Sequence, residues 1–402
     1  MNSSVAGLRC IACETSLDAD TAASLVGTQH CPDCGGLLDF EYEYATTELG
    51  RELLSDSSED SIYRYADLLP VEPEDAVTLG EGQTPLHDCP TLGEELGVGS
   101  VRLKDESSNP TGSHTARGVS LAISASVEEG DVAIAAPGTG AEACAAYAAR
   151  TALDAHLFVP SRSGFISKAM VNVYGGEMSV IEGRYDDAEA ALEAELEEQA
   201  DWQSLQPFVS PLRHEGEKTI GFELVEQLDW SVPDAIVVPV GSGTTLVGIW
   251  KAIRELQTFG LIDETPRIYA AQPDGCAPFV EAFESTIEGG EPGDPVWETP
   301  DTIVGELEIP DPRGRSRVVQ ALEASGGTGV TSSDDDALDS ALLLAQHEGV
   351  AVGAAGGVAA SAAWTLSQDG MFEADDTVVI LNPGGASNAP DVLRSHLMGA
   401  GI

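Results

Sequence analysis

From about residue 130 onward, apolar and polar positions follow one recurring order: a short apolar run, a glycine-bearing turn, then an amphipathic stretch. Residues 131–136 (DVAIAA) have the length and composition of a buried strand, and they lead through Pro137-Gly138-Thr139-Gly140 into an alanine-rich helix ending near Ala152. Residues 235–240 (AIVVPV) repeat the pattern and are followed by Gly241-Ser242-Gly243-Thr244-Thr245. The next stretch carries Leu246, Ile249, Trp250 and Ile253 at helical spacing. Residues 377–382 (TVVILN) form a third copy, ahead of Gly384-Gly385. Further strands are predicted at 155–160, 177–182 and 267–272, and a serine-capped helix over 332–347. The Gly-, Pro- and acid-rich segment 286–317 reads as a surface loop.

Strands alternating with helices predict an α/β chain with parallel sheets covered by helices. In such sheets ligands gather at the carboxyl ends of strands, where these glycine turns fall. Gly241, Ser242, Gly243, Thr244 and Thr245 therefore form a candidate anion site, since a helix starting there would present free backbone N–H groups. A plain strand–helix turn fits the same residues.

Cysteine usage adds a separate module. Four of the seven cysteines, Cys10, Cys13, Cys31 and Cys34, lie in two C-x-x-C pairs separated by 17 residues. Each pair can place two thiolates on one tight knuckle, and two knuckles can close a tetrahedron around structural zinc. Two disulfides or a redox pair are the competing readings. Cys89, Cys144 and Cys276 are scattered and read as small buried hydrophobes.

Charge changes the picture again. The chain of 402 residues carries 68 acidic and 19 basic residues, a formal net charge of -49, and its acids are dispersed rather than gathered in a tail. Self-repulsion of this size is relieved at molar salt, where the screening length falls to about 3 Å. A hydrated surface suited to a halophile follows, and nucleic acid and anionic membranes are excluded as partners. Without a signal-peptide pattern or an apolar run long enough to span a bilayer, a cytoplasmic location is expected.

Several segments together resemble the threonine synthase family of fold-type-II pyridoxal-phosphate enzymes. They are EGQTPL at 81–86, LKDESSNPTGSHTARG at 103–118, EGEKTIGFE at 215–223 and VPVGSGTTLVGIW at 238–250. Their order agrees over nearly the whole chain, and the cysteine module resembles a leader of many members. The resemblance implies two parallel-sheet domains with flanking helices plus an N-terminal zinc ribbon. The boundaries expected are a ribbon at 1–43, a large domain at 44–110 and 205–402, and a small domain at 111–204.

The resemblance also implies pyridoxal phosphate held as a lysine aldimine, and the matching positions can be read one by one. Thr115 stands where the lysine belongs, preceded by His114 in place of an aromatic residue. Thr139 occupies the position of the asparagine beside the ring hydroxyl. In the phosphate loop Gly241, Ser242 and Gly243 precede Thr244 and Thr245, which replace a glycine and an asparagine, and Asn382 takes the place of the hydroxyl residue at the ring nitrogen. A threonine cannot form a Schiff base. The expectation is a homologue with a degenerate cofactor site and no Schiff base. It would bind a small anionic or amino-acid-like ligand, or a partner, as a homo-oligomer or in complex with an active paralogue. An active threonine synthase or related lyase with non-standard cofactor binding is the alternative. Different catalysis through His114, Thr115 or Glu142 is a third reading.

Overall fold

The computed structural model describes residues 2–19, 30–47, 49–199, 201–287 and 297–399. In chain order its strands are β1 (Val5–Cys10), β2 (Ser16–Asp18), β3 (Leu38–Tyr42), β4 (Leu86–Asp88), β5 (Ser100–Asp105), β6 (Val132–Ala135) and β7 (Ala155–Pro160). There follow β8 (Glu177–Ile181), β9 (Gln203–Ser204), β10 (Ala235–Pro239), β11 (Arg267–Pro273), β12 (Gly329–Ser332) and β13 (Thr377–Asn382). They belong to two compact units, one of residues 1–83, 115–222 and 251–263, the other of 84–114, 223–250 and 264–402.

The first unit holds two sheets. One is a small antiparallel sheet in the order β2-β1-β3, which carries the cysteine knuckles. The other is a parallel sheet in the order β8-β7-β6-β9. The central strand β6 is buried at all four positions and reads as a continuous apolar run, as a strand covered on both faces must. The acid-rich helix Tyr185–Glu198 buries Tyr185, Ala188 and Leu192 and turns its carboxylates outward, so the dense acidity of that stretch is one solvated face.

The second unit is built on six strands in the order β12-β11-β10-β13-β5-β4, parallel except where β4 runs against β5. β10 and β13 are wholly or almost wholly buried. The helix predicted after residue 332 spans Asp334–His347, and the Ser333 hydroxyl accepts from the Asp336 N–H at its start. The strands expected at 131–136, 155–160, 177–182, 235–240, 267–272 and 377–382 all form, within a residue or two.

The segment 286–317 departs from its expected surface path. Residues 288–296 lie outside the described residues, but Thr302, Val304, Leu307, Glu308 and Ile309 are buried. Val304 and Leu307 join the apolar core of the second unit beside Val101, Ala235 and Tyr269. Its polar composition hid a short apolar alternation that the sheet covers. Among the described residues no helix is long and apolar enough to cross a membrane.

Candidate functional site

The second unit brings three neighbouring strand ends together. Val237 of β10 pairs with Ile380 of β13, and Asn382 at the end of β13 pairs with Asp105 at the end of β5. Asn382 is fully buried and donates from Nδ2 to Asp105 Oδ1 at 2.7 Å, while its Oδ1 has no hydrogen-bond partner among the described residues. Beyond β10, Gly243 turns with φ +95°, a conformation that side-chain-bearing residues avoid, and a Cβ there would also press on Val318 Cγ2 at 2.7 Å. The turn opens the fifteen-residue helix Thr244–Thr258. Its first residues are buried and hydrogen-bonded. Ser242 Oγ lies 3.2 Å from Thr244 Oγ1, and Thr245 Oγ1 lies 3.1 Å from His114 Nδ1. The His114 backbone N–H donates to Pro383 O at 2.9 Å, which ties the histidine to the turn after β13.

His114, Gly241, Ser242, Gly243, Thr244, Thr245 and Asn382 thus share one unit, while Thr115 and Thr139 belong to the other. Two residues at these strand ends escaped sequence reasoning. Asp105, the partner of Asn382, gave no signal beyond its place in the LKDE run. Glu306 lies in the mistaken loop, and its backbone oxygen would be 2.9 Å from a Cβ on Gly241. Burial pushes the Glu306 carboxyl above its ordinary range, against a downward pull from His114.

In the first unit, Thr115 begins the helix Thr115–Ser126 and is 8% exposed, and Thr139 begins the helix Thr139–Ala148. Both helices start at or after a turn, so both hydroxyls sit at helix N-termini. Glu142 lies in the first turn of the second helix, and burial pushes its carboxyl up to about 7.

The lysine amines of the chain are placed elsewhere. Lys104 is wholly buried and donates to Thr84 O at 2.9 Å, Glu223 Oε2 at 2.7 Å and Gln227 Oε1 at 3.0 Å. Lys168 donates to Ser161 O at 2.9 Å. Lys218 and Lys251 enter a buried network with Asp39, Glu215 and Glu255. There Tyr42 donates to Glu215, and Lys218 lies 4.3 Å from the Tyr42 ring centre. Burial alone would raise the Glu215 carboxyl, but Lys218 and Lys251 outweigh it and hold it below its ordinary value. Desolvation, with Glu215 and Glu255 adding to it, raises the Tyr42 hydroxyl. Since Asp39 and Tyr42 lie on β3, this network anchors the small antiparallel sheet to helices of the same unit.

The four cysteines of the N-terminal module converge. Cys10 Sγ lies 3.5 Å from Cys34 Sγ, Cys13 Sγ lies 3.6 Å from Cys31 Sγ, and all four sulfurs fall within 4.8 Å of one another. Four sulfurs each about 2.3 Å from one ion would be about 3.8 Å apart at the corners of a tetrahedron, so the set fits a metal. None of the four is in a disulfide. Contacts with Thr15 hold the Cys13 thiol down, at about 6, toward the thiolate a metal requires. A Cβ at position 36 would meet Cys10 Sγ at 3.0 Å and Ala12 Cβ at 2.8 Å, so only glycine leaves the second knuckle room to close. Asp39, His214 and Glu215 also cluster closely enough to ligate, but the Lys251 amine already lies on Asp39 and Glu215.

Comparison with known proteins gives a consistent picture. Residues 77–384 match a family described as "Pyridoxal-phosphate dependent enzyme". The chain is 33% identical to "Threonine synthase" of Methanosarcina acetivorans, across 94% of this chain and 91% of the relative. It is 32% identical to "Threonine synthase" of Methanocaldococcus jannaschii, across 95% and 93%. Among solved structures, threonine deaminase isoform 2 from Solanum lycopersicum superposes with a TM-score of 0.68 at 20% identity, covering 86% of this chain and 95% of that one. Maize serine racemase gives 0.64 at 22% identity, covering 80% and 94%. At these identities the structures speak to the fold alone.

Proposed function

The chain belongs to the family of pyridoxal-phosphate dependent enzymes, and we propose that it is a member that binds a small anionic or amino-acid-like ligand without forming a Schiff base. One observation carries this reading: the lysine position is Thr115, and the amines of Lys104, Lys168, Lys218 and Lys251 are hydrogen-bonded elsewhere. The residues present do not fit a lysine-bound cofactor, because a hydroxyl cannot supply the imine nitrogen. The strand-end site of the second unit keeps polar groups to offer a ligand. They are the orphaned Asn382 Oδ1, the Thr245–His114 pair and the N-terminus of a long helix. In the N-terminal module the four thiolates would hold zinc as a closed structural site with no open position for chemistry.

The names of the relatives favour a second reading, catalysis on an amino-acid substrate with pyridoxal phosphate. Incubation with pyridoxal phosphate in molar salt, reduction with borohydride and peptide mass mapping separates the two. The expected result is no pyridoxyl-lysine peptide. A modified Lys104, Lys168, Lys218 or Lys251 would overturn the first reading, and growth of a threonine auxotroph carrying this gene would favour the second.

A further inference from the structure

Acids are spread along this chain, and one exposed element lacks them. No acid occurs between Asp154 and Glu177, although the chain carries 68 acids in 402 residues. A similar acid-free run between Glu106 and Glu128 is a buried one, since its helix Thr115–Ser126 buries eleven of twelve residues. The helix Phe165–Tyr174, in the acid-free run after β7, buries only Ser167 and Val171. On it Phe165 is 79% and Val173 70% exposed. The next helix, Tyr185–Glu198, shows the ordinary pattern, with carboxylates over its solvent face.

The same edge of the first unit carries a second open feature. The helix Phe165–Tyr174 packs on β8, the outer strand of the order β8-β7-β6-β9. Among the described residues no strand pairs with the far side of β8. Glu177, Ser179 and Val180 are exposed there, Val180 by 50%. An open edge strand presents unpaired N–H and C=O groups, and sheets ordinarily guard it with inward charges, proline or a bulge. β8 reads EMSVI, with its one charge at the first residue. Single exposed apolar side chains are normal on any surface. Three on one helix–strand pair that also lacks acid make a patch.

We propose that this edge docks a second copy of the chain about a two-fold axis, with β8 antiparallel to its copy and the helix Phe165–Tyr174 of each chain beside the joint. A two-fold makes one surface its own partner. It also turns an edge strand antiparallel to its copy, so the open backbone groups are met. Charge selects the occupant. Two chains of net charge -49 repel across their acidic faces, so they touch best where acid is missing. A basic partner is drawn to the carboxylates elsewhere and gains no charge contact on this edge. Charge also sets the register. An axis through Ser179 places Val180 opposite Met178 of the second copy and Glu177 opposite Ile181. An axis through Glu177 would set two carboxylates face to face, which destabilises a strand pair.

Light scattering after size exclusion of the full chain in molar potassium chloride reads the assembly. The double variant Val173→Asp/Val180→Asp adds acids at exposed positions, and circular dichroism melts verify that it folds. Its mass is expected to be half that of the parent at equal concentration, whether this edge makes a dimer or joins dimers built on another face. A parent mass of 41.8 kDa at every concentration, or equal masses for parent and variant, overturns the proposal. Ser179→Cys gives a second readout that disrupts nothing. Opposed residues of an antiparallel pair have Cα atoms about 4.5–5.5 Å apart, within disulfide reach. Mild oxidation with zinc present should link Ser179→Cys into pairs about tenfold more than Glu197→Cys on the acidic helix, because the two-fold holds its thiols together. No excess of linked pairs over Glu197→Cys overturns the two-fold at β8.

Discussion

Replacing Lys104 by methionine tests whether this lysine is a structural cation or a displaced reactive amine. Its side chain and that of Glu223 are both fully buried, with Nζ 2.7 Å from Glu223 Oε2. Methionine fills nearly the same volume but removes the Lys104 amine from that carboxylate. Glu223 also accepts a long bond from the Thr84 N–H at 3.3 Å, and the Thr84 carbonyl would retain the Gln227 amide at 2.8 Å. Leaving one member of a buried pair uncompensated destabilises by about 3–5 kcal/mol. For a cooperative unit of about 200 residues this lowers the melting temperature by about 6–20 °C. The double variant Lys104→Met/Glu223→Met should recover most of that loss, since removing both buried partners together is close to neutral. Thermal and denaturant unfolding of parent, both single variants and the double variant completes the cycle. Molar salt does not mask the effect, because screening acts on exposed charges and this pair is enclosed. A Lys104→Met protein within about 1 kcal/mol of the parent would refute the argument that the pair is structural.

Two further outcomes follow from the first unit. Purified protein should contain one zinc per chain, and Cys10→Ser with Cys34→Ser should lose it and loosen β1–β3 to proteolysis, while Asp39, Phe40 and Tyr42 still tie β3 to the helices. Metal analysis showing no zinc in protein expressed with zinc present would contradict the tetrahedral site. Burial raises the Glu142 carboxyl from 4.5 to about 7. Between those values the folded ligand-free chain therefore binds more protons than the unfolded one, and stability falls as pH rises through the window. Glu142→Gln cannot titrate, so its advantage over the parent should open between about pH 4.5 and 7 in chemical denaturation, and parallel curves would exclude the raised carboxyl.

Much of the fold was legible because buried parallel strands announce themselves. Runs such as 235–240 and 378–381 are apolar at every position, as strands covered on both faces must be, and glycine turns follow them. The short strands β2, β4 and β9 carried no such signal, since two or three residues cannot show a period. The segment 286–317 was misjudged in part because its prolines and acids mask Val304, Leu307 and Ile309, whose burial depends on the sheet beneath them.

The sequence alone determined which atoms are available. It placed a hydroxyl at Thr115 where the resemblance calls for an amine, four thiols in two C-x-x-C pairs, and a formal net charge of -49. Those are matters of covalent composition, and no folding can add a nitrogen to a threonine. Tertiary structure decided what each group does. It buried Lys104 against Glu223, set Asn382 on Asp105 with one oxygen unmet, and brought His114 to Thr245 across 131 positions of chain. It also nearly enclosed the side chain of Glu142. Pairings between residues so far apart are set by strand order and helix packing, and the energy of a buried polar group depends on its neighbours rather than on its own identity.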